Sequence, residues 1–232
     1  MQCENDVRDM SEIFRFLRLE EHVAPILRGS VWITTLESCR QQEGERRDEN
    51  EGRLIHNIGH FTVDSSDPAS IEAYQQTGIF TAQPGITDVS FSNVTFDGGI
   101  SNAYILCLTE HYRPDFMEAG FGRFCIRVRN PMQVFLRITR RMAMIHEVRD
   151  AIIGRVRYEG REVTDYETRN VPPPLLKPID GYTHQQEIRM VWIVGRQSYP
   201  LKPFPLECPE AATYFQEVPT AYSSTPPFMR RP

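Results

Sequence analysis

The sequence has almost no lysine and no long apolar run. Lys177 and Lys202 are its only lysines, so arginine carries nearly all of the positive charge. No apolar run approaches the roughly 18 residues that a membrane-spanning helix needs, and the polar, acidic N-terminus is unlike a signal peptide. We therefore expect a cytoplasmic protein with no membrane partner. Export by a dedicated secretion machine would leave no mark in the sequence.

Several cofactor motifs are also missing. There is no Walker loop, and no Gly-x-Gly-x-x-Gly opens a helix after a strand, which disfavours P-loop and Rossmann nucleotide binding. The five scattered cysteines are odd in number and indicate reduced thiols. His56 and His60 have a metal-ligand spacing for a helix, but Gly59 disfavours a helix there and no third ligand follows. We expect no metal.

The composition is that of a soluble globular protein, with 232 residues, 40% hydrophobic and 25% charged. The net charge of −5 disfavours broad nonspecific binding of nucleic acid. Six arginines and no acidic residue nevertheless lie between Ala119 and His146. They are Arg123, Arg127, Arg129, Arg137, Arg140 and Arg141. This stretch is either a phosphate-binding surface or a solvated strand and helix face.

The most informative segment is a polar turn that leads into an apolar strand, residues 182–194. Gln185 and Glu187 stand two apart at its start, which predicts that both side chains face the same way. A carboxylate and an amide in this position suit glycosyl transfer from a nucleotide. The carboxylate can hold a ribose hydroxyl and stabilise developing positive charge, while the amide orients the acceptor.

Other segments supply further strands. Residues 13–36 read as strand, short helix and strand, with Gly29 at the helix end. Residues 103–110, 124–129 and 152–158 read as three more strands. Trp32 and Trp192 are interpreted as core aromatics.

In this order the segments resemble a bacterial family of uncharacterised ADP-ribosyltransferase-like proteins of the toxin and phage-defence type. The family opens with an aromatic–basic–aromatic strand and ends with a Lys followed by a Glu/Gln-x-Glu strand that carries an Arg. The matching segments are Phe14-Arg15-Phe16, Val31-Trp32-Ile33-Thr34-Thr35, Leu106-Cys107-Leu108-Thr109, Gly120-Phe121-Gly122-Arg123, and Lys177 with Gln185-Gln186-Glu187-Ile188-Arg189.

The resemblance implies an α+β fold, in which split β-sheets with flanking helices surround an NAD cleft. It makes Glu187 the carboxylate for the nicotinamide ribose and Gln185 the residue that positions the acceptor. Arg15, Thr34, Thr35 and Arg189 would bind NAD, which is a substrate here. The Gln-x-Glu form tilts the acceptor away from arginine.

The implied function is mono-ADP-ribosylation of a macromolecular acceptor, either a nucleic-acid base or a non-arginine protein side chain. The resemblance implies that the protein is a toxin, an effector delivered into a target cell or a phage-defence protein. An antitoxin or immunity protein is a further expected partner. Two alternatives stay open. One is an NAD glycohydrolase, and the other is a catalytically silent binding module of the same fold.

The domain prediction is one ADP-ribosyltransferase-like domain over residues 1–198 and a Pro-rich C-terminal tail over 199–232. An insertion is expected at about 37–100. Within it, residues 37–53 carry charges of both signs and predict an exposed loop or helix end. Residues 54–100 are predicted to form turns and loops. The tail is predicted to dock through Phe204, Tyr214 and Phe215.

Overall fold

The computed structural model describes residues 10–42, 48–63, 67, 89–164, 171–195 and 199–219. The fold is α+β, with mostly antiparallel sheets. The strands are β1 (Glu12–Leu17), β2 (Ser30–Thr35), β3 (Ile55–Val63), β4 (Val89–Asp97), β5 (Tyr104–Thr109), β6 (Phe124–Arg129), β7 (Val148–Arg155), β8 (Arg157–Tyr158), β9 (Glu162–Thr164), β10 (Leu176–Lys177), β11 (Glu187–Val194), β12 (Phe204–Glu207) and β13 (Phe215–Val218).

The described α-helices are α1 (Val23–Leu27), α2 (Leu36–Arg40), α3 (Pro114–Phe121) and α4 (Pro131–Ile145). Within the described residues, short 3-10 helices cover Glu20–His22, Pro173–Leu175, Thr183–Gln185 and Pro209–Tyr214. The predicted strand–helix–strand order of residues 13–36 is confirmed. Gly29 follows α1 with φ of +90°, a conformation that favours glycine at a helix end.

Eight strands form the main sheet, in which β5 occupies a branching position. Strand β11 pairs with the whole length of β5, from Glu187 opposite Thr109 to Trp192 opposite Tyr104. On the other edge of β5, β2 pairs with its first half and β1 meets its last residue. Strands β1 and β2 therefore diverge from one edge of β5, and residues 106–108 lie at the split between them.

One face of this sheet is covered by α4, which the sequence reading did not identify. Val134, Phe135, Ile138 and Met142 are buried at helical spacing along its inner side. The side chain of Asn130 caps the first turn by accepting a hydrogen bond from the Gln133 N–H. The arginines of α4 lie away from this buried side: Arg140 is exposed, and Arg137 and Arg141 are partly exposed.

Residues 54–100 differ from the loops predicted there. Strands β3 and β4 are nine residues each and pair antiparallel from Ile55 opposite Asp97 to Val63 opposite Val89. Turn-forming residues interrupt the apolar pattern in the sequence, but pairing between the two strands satisfies the hydrogen-bonding groups of their backbones. The predicted turns at Pro68 and 83–85 lie outside the described residues.

The C-terminal segment is built into the main sheet as far as it is described. Strand β12 pairs with β2, and β13 pairs with β6. Leu206, Cys208, Ala211 and Phe215 are buried in the central core. Residues 204–218 therefore add a strand at two edges of the branched sheet. Phe204 and Tyr214 pack against the core and Phe215 lies in it, as predicted, but the strand pairing of this segment was not expected.

Candidate functional site

A cavity of about 890 Å³ opens where β1 and β2 diverge from β5. Its volume lies within the roughly 300–1,000 Å³ range of small-molecule sites. Residues Ile105–Thr109 of β5 form part of its wall. The predicted site residues that line it are Arg15, Thr34, Gln185, Glu187 and Arg189, together with Lys177.

Gln185 and Glu187 are brought to one point, although they belong to different local structures. Gln185 ends a 3-10 helix, Gln186 adopts a left-handed conformation with φ of +41°, and Glu187 begins β11. The Lys177 ammonium donates to Gln185 Oε1 at 2.9 Å and lies 2.9 Å from Glu187 Oε2. Both side chains therefore face the same partner, as their spacing predicts.

Arg189 clamps Glu187 from the same strand. Its Nε donates to Glu187 Oε1 at 2.9 Å, and its Nη2 donates to Oε2 at 3.0 Å. The Tyr158 hydroxyl accepts from the Glu187 N–H at 2.9 Å, which fixes the start of the strand. Only 6% of Glu187 is exposed. The carboxylate is therefore oriented before any ligand binds.

Glu51 completes the clamp and was missed from the sequence. Its two oxygens accept from Arg189 Nη1 and Nη2 at 2.5 and 2.9 Å, and only 1% of Glu51 is exposed. The Arg40 guanidinium of α2 holds the Glu51 carbonyl at 2.6 and 2.9 Å. The prediction of a solvent-exposed segment at 37–53 is wrong at this residue, because the buried guanidinium of β11 needs a second carboxylate.

A second buried pair extends the cluster. Asp48 is 4% exposed and accepts both terminal nitrogens of Arg161, which also donates to the Leu176 carbonyl at 2.9 Å. The described cluster contains three carboxylates and three cationic side chains and is formally neutral. Its members are Asp48, Glu51, Glu187, Arg161, Lys177 and Arg189.

The cluster shifts the pKa of its members. Burial alone would raise the pKa of the Glu187 carboxyl, but Arg189 and Lys177 outweigh burial and hold that pKa well below its usual value. Burial lowers the pKa of Lys177, yet Glu187 and Glu51 together outweigh burial and leave that pKa raised. Burial raises the pKa of the Tyr158 hydroxyl. Glu187 is therefore an anionic acceptor at neutral pH and a weak base.

Arg15 and Thr34 stand on the two diverging strands, and Thr35 does not share their position. Arg15 Nη2 of β1 donates to the Trp32 carbonyl of β2 at 3.0 Å, so it bridges the split. Thr34 lines the cavity. Thr35 is fully buried, and its hydroxyl caps α2 by accepting from the Ser38 N–H at 3.1 Å. It is not among the cavity-lining residues, so its predicted contact with NAD has no support here.

Trp32 is not the core residue that the sequence suggested. It is 52% exposed and lines the cavity, whereas Trp192 is fully buried and donates to the Thr139 hydroxyl at 2.8 Å. Strand alternation explains the difference, because Val31 and Ile33 face the core and Trp32 points the other way. Counting apolar residues could not tell the two faces apart.

Two thiols lie in the cavity wall beside the cluster. Cys39 of α2 and Cys107 of β5 both line the cavity, and the neighbouring Cys39 thiol, together with burial, holds the pKa of Cys107 well above its usual value. Both cysteines are free thiols, which agrees with the reading of reduced cysteines.

The arginine-rich stretch mainly braces the protein itself. Arg127 pairs with Glu12 at 3.3 Å, and Arg141 pairs with Glu210 at 2.8 Å. These contacts join β6 and α4 to the N-terminal strand and the C-terminal segment. Arg129 donates to the Thr213 carbonyl, Arg137 donates to the Tyr214 hydroxyl, and the Arg123 guanidinium lies over the Phe124 ring. They favour the interpretation as a structural face.

Within the described residues, no cluster of His, Cys, Asp or Glu has a metal-binding arrangement. No helix in the same ranges is long and apolar enough to cross a membrane. His56 and His60 lie on strand β3, so their spacing is not that of a helical metal site. No protein-family model, curated protein or solved structure matches the chain.

Proposed function

We propose that the protein is an ADP-ribosyltransferase-like enzyme that uses NAD to modify a macromolecular acceptor. The observation that carries this proposal is the convergence of Arg15, Thr34, Gln185 and Glu187 on one cavity at the split of the sheet. These residues come from β1, β2 and the segment in which a 3-10 helix leads into β11, and these three parts of the chain are brought together by the fold. A nucleotide with a diphosphate and a reacting ribose needs a cation, hydroxyl partners and a carboxylate in one cleft.

The ionised Glu187 suits electrostatic stabilisation better than proton transfer. A ribose hydroxyl would donate to it in place of the Lys177 ammonium. The bond from ribose C1′ to nicotinamide then breaks, its electron pair leaves with nicotinamide, and an acceptor lone pair forms the new bond to C1′. An acceptor whose attacking atom carries a proton releases that proton to solvent. Glu187 opposes the positive charge that develops on the ribose.

The weak basicity of Glu187 bears on the acceptor. A guanidinium must lose a proton before it can attack, and a carboxylate held ionised by Arg189 and Lys177 is poorly suited to take that proton. A ring nitrogen of a nucleobase or a side-chain carboxylate already offers a lone pair. We therefore propose an acceptor of one of these two kinds, and Gln185 as the residue that orients it.

One observation favours a second candidate, a catalytically silent binding module. The Glu187 oxygens already accept from Arg189 and contact Lys177, and the described cluster is formally neutral. A purely structural ion network would have the same balance. NAD binding without turnover, or no NAD binding, would support this candidate.

The decisive experiment incubates the protein with labelled NAD and cell extract. Separate nuclease and protease digestion of the labelled product identifies the acceptor class, and nicotinamide release is followed in parallel. Release without labelled macromolecule indicates a glycohydrolase. Charge reversal at exposed Arg123 and Arg140 tests the arginine surface, because a nucleic-acid acceptor docked there would lose transfer, but not nicotinamide release, and would show steep salt dependence.

A further inference from the structure

Trp32 has surroundings that set it apart from the other exposed aromatic residues of the described chain. It lies in the cavity wall with 52% of its surface exposed. Ser30 and Thr34, two residues away on either side, line the same cavity, so one whole face of β2 is turned toward it. An exposed indole in a concave site provides a flat apolar surface for a planar ring.

The residues around Trp32 include cations, rings and one carboxylate, Glu207, which also lines the cavity and accepts from the Ser30 hydroxyl at 2.5 Å. The Arg15 guanidinium donates to the Trp32 carbonyl at 3.0 Å. Pro205 stands opposite Trp32 in the pairing of β12 with β2, and it also lines the cavity. Arg18 and His22 contribute to the wall as well. This side of the cavity combines a stacking surface with positive charge, which matches an aromatic base joined to phosphates.

Burial distinguishes the two ends of the cavity. Glu187 is 6% exposed, whereas Trp32 is 52% exposed. The ribose whose bond breaks needs the end from which water is excluded. The half-exposed end is suited to the part of the substrate that does not react.

We propose that Trp32 is the residue on which the adenine ring of the substrate stacks, with Arg15 beside it for the diphosphate. This inference rests on the proposed function, because it assumes that the reacting ribose lies at Glu187. It adds a specificity-determining residue and an orientation. The adenosine half lies along β2, and the nicotinamide half lies toward the start of β11.

The two tryptophans allow a direct test. Tryptophan fluorescence is followed while NAD, ADP-ribose, AMP or nicotinamide mononucleotide is added, and calorimetry measures binding independently. AMP and ADP-ribose should quench the emission, and nicotinamide mononucleotide should not. In Trp32→Phe only the buried Trp192 remains, so the quenching should disappear while most of the affinity is retained.

The expected loss in Trp32→Ala is about 5- to 150-fold in affinity for AMP and ADP-ribose, the range for one base–aromatic stack. Tyr199→Ala is the matched control, because Tyr199 is 60% exposed and does not line the cavity. Unchanged AMP affinity in Trp32→Ala, with NAD still binding, overturns the inference and leaves the proposed function standing. If Trp32→Ala also weakens the binding of nicotinamide mononucleotide, the proposed orientation of the substrate is wrong. If no nucleotide binds the wild-type protein by calorimetry, both fail.

Discussion

At the scale of single residues, Glu187 is a buried carboxylate that several partners hold in place. Arg189 contacts both of its oxygens, Lys177 contacts one, and Tyr158 fixes its backbone. Such preorganisation reduces the reorganisation needed during a reaction. It also ties the chemistry of the site to its stability, which a reading of the strand sequence alone did not suggest.

Glu187→Gln should therefore affect both turnover and folding. Loss of the charge should cut NAD turnover about 100- to 1000-fold. Breaking the buried pair should also lower the free energy of unfolding by about 3–5 kcal/mol, because two cations lose a partner. Nicotinamide release and urea denaturation measure the two effects. Glu217→Gln, which changes an exposed residue of β13, is the control. Near-wild-type turnover in folded Glu187→Gln would show that Glu187 is not catalytic.

Glu51 gives a prediction that does not depend on the proposed activity. Glu51→Gln should lower the free energy of unfolding by about 3–5 kcal/mol, because Arg189 would lose a buried bidentate carboxylate. Glu217→Gln, an exposed change on β13, should stay within about 0.5 kcal/mol. Urea denaturation compares the two variants. Equal effects would show that the buried contact does not stabilise the fold.

At the scale of elements, several strands could be predicted because their patterns are local. Strands β1, β2, β5, β6 and β11 appear close to their expected positions. A short run of apolar residues marks a strand with at least one buried face, whatever its neighbours are. Strands β3 and β4 were missed because turn signals dominate their surroundings. Helix α4 was missed because its arginines drew the interpretation toward a charged surface.

The C-terminal segment leads to an element-scale prediction. A chain that ends at residue 198 should lose cooperative unfolding or become insoluble, because β2 and β6 would lose their outer partners and Leu206 and Phe215 their places in the core. A chain that ends at Pro219 keeps every one of these contacts and should melt close to the full-length protein. Thermal denaturation by circular dichroism makes the comparison. Similar melting of both truncations would contradict a structural role for residues 199–219.

At the scale of the whole molecule, the buried cluster links stability to pH at both ends of the range. The pKa of Glu187 is lowered from its ordinary 4.5, so its stabilising contribution is complete above 4.5 and is lost as pH falls toward the folded-state pKa. The pKa of Lys177 is raised from its ordinary 10.5, so its contribution is complete below 10.5 and is lost as pH rises through the folded-state pKa.

The expected result is a stability plateau between these two values with a decline on either side. Glu110, whose pKa Arg155 lowers, adds to the acid decline. The difference in free energy of unfolding between wild type and Glu187→Gln reports the contribution of the Glu187 carboxylate. This difference should shrink as pH falls below 4.5. Urea denaturation across pH measures it. A difference that is constant down to strong acid would mean that Glu187 is not ionised in the folded protein.

The sequence by itself determined the strands that carry Arg15, Thr34 and Glu187. Strand periodicity is a local property, so neighbouring residues suffice to establish it. Only the tertiary structure decided that Glu51 is buried against Arg189, 138 residues away, and that Trp32 faces a cavity. A charged loop has the same sequence pattern whether water or a buried guanidinium neutralises it, so the distinction exists only once distant segments meet.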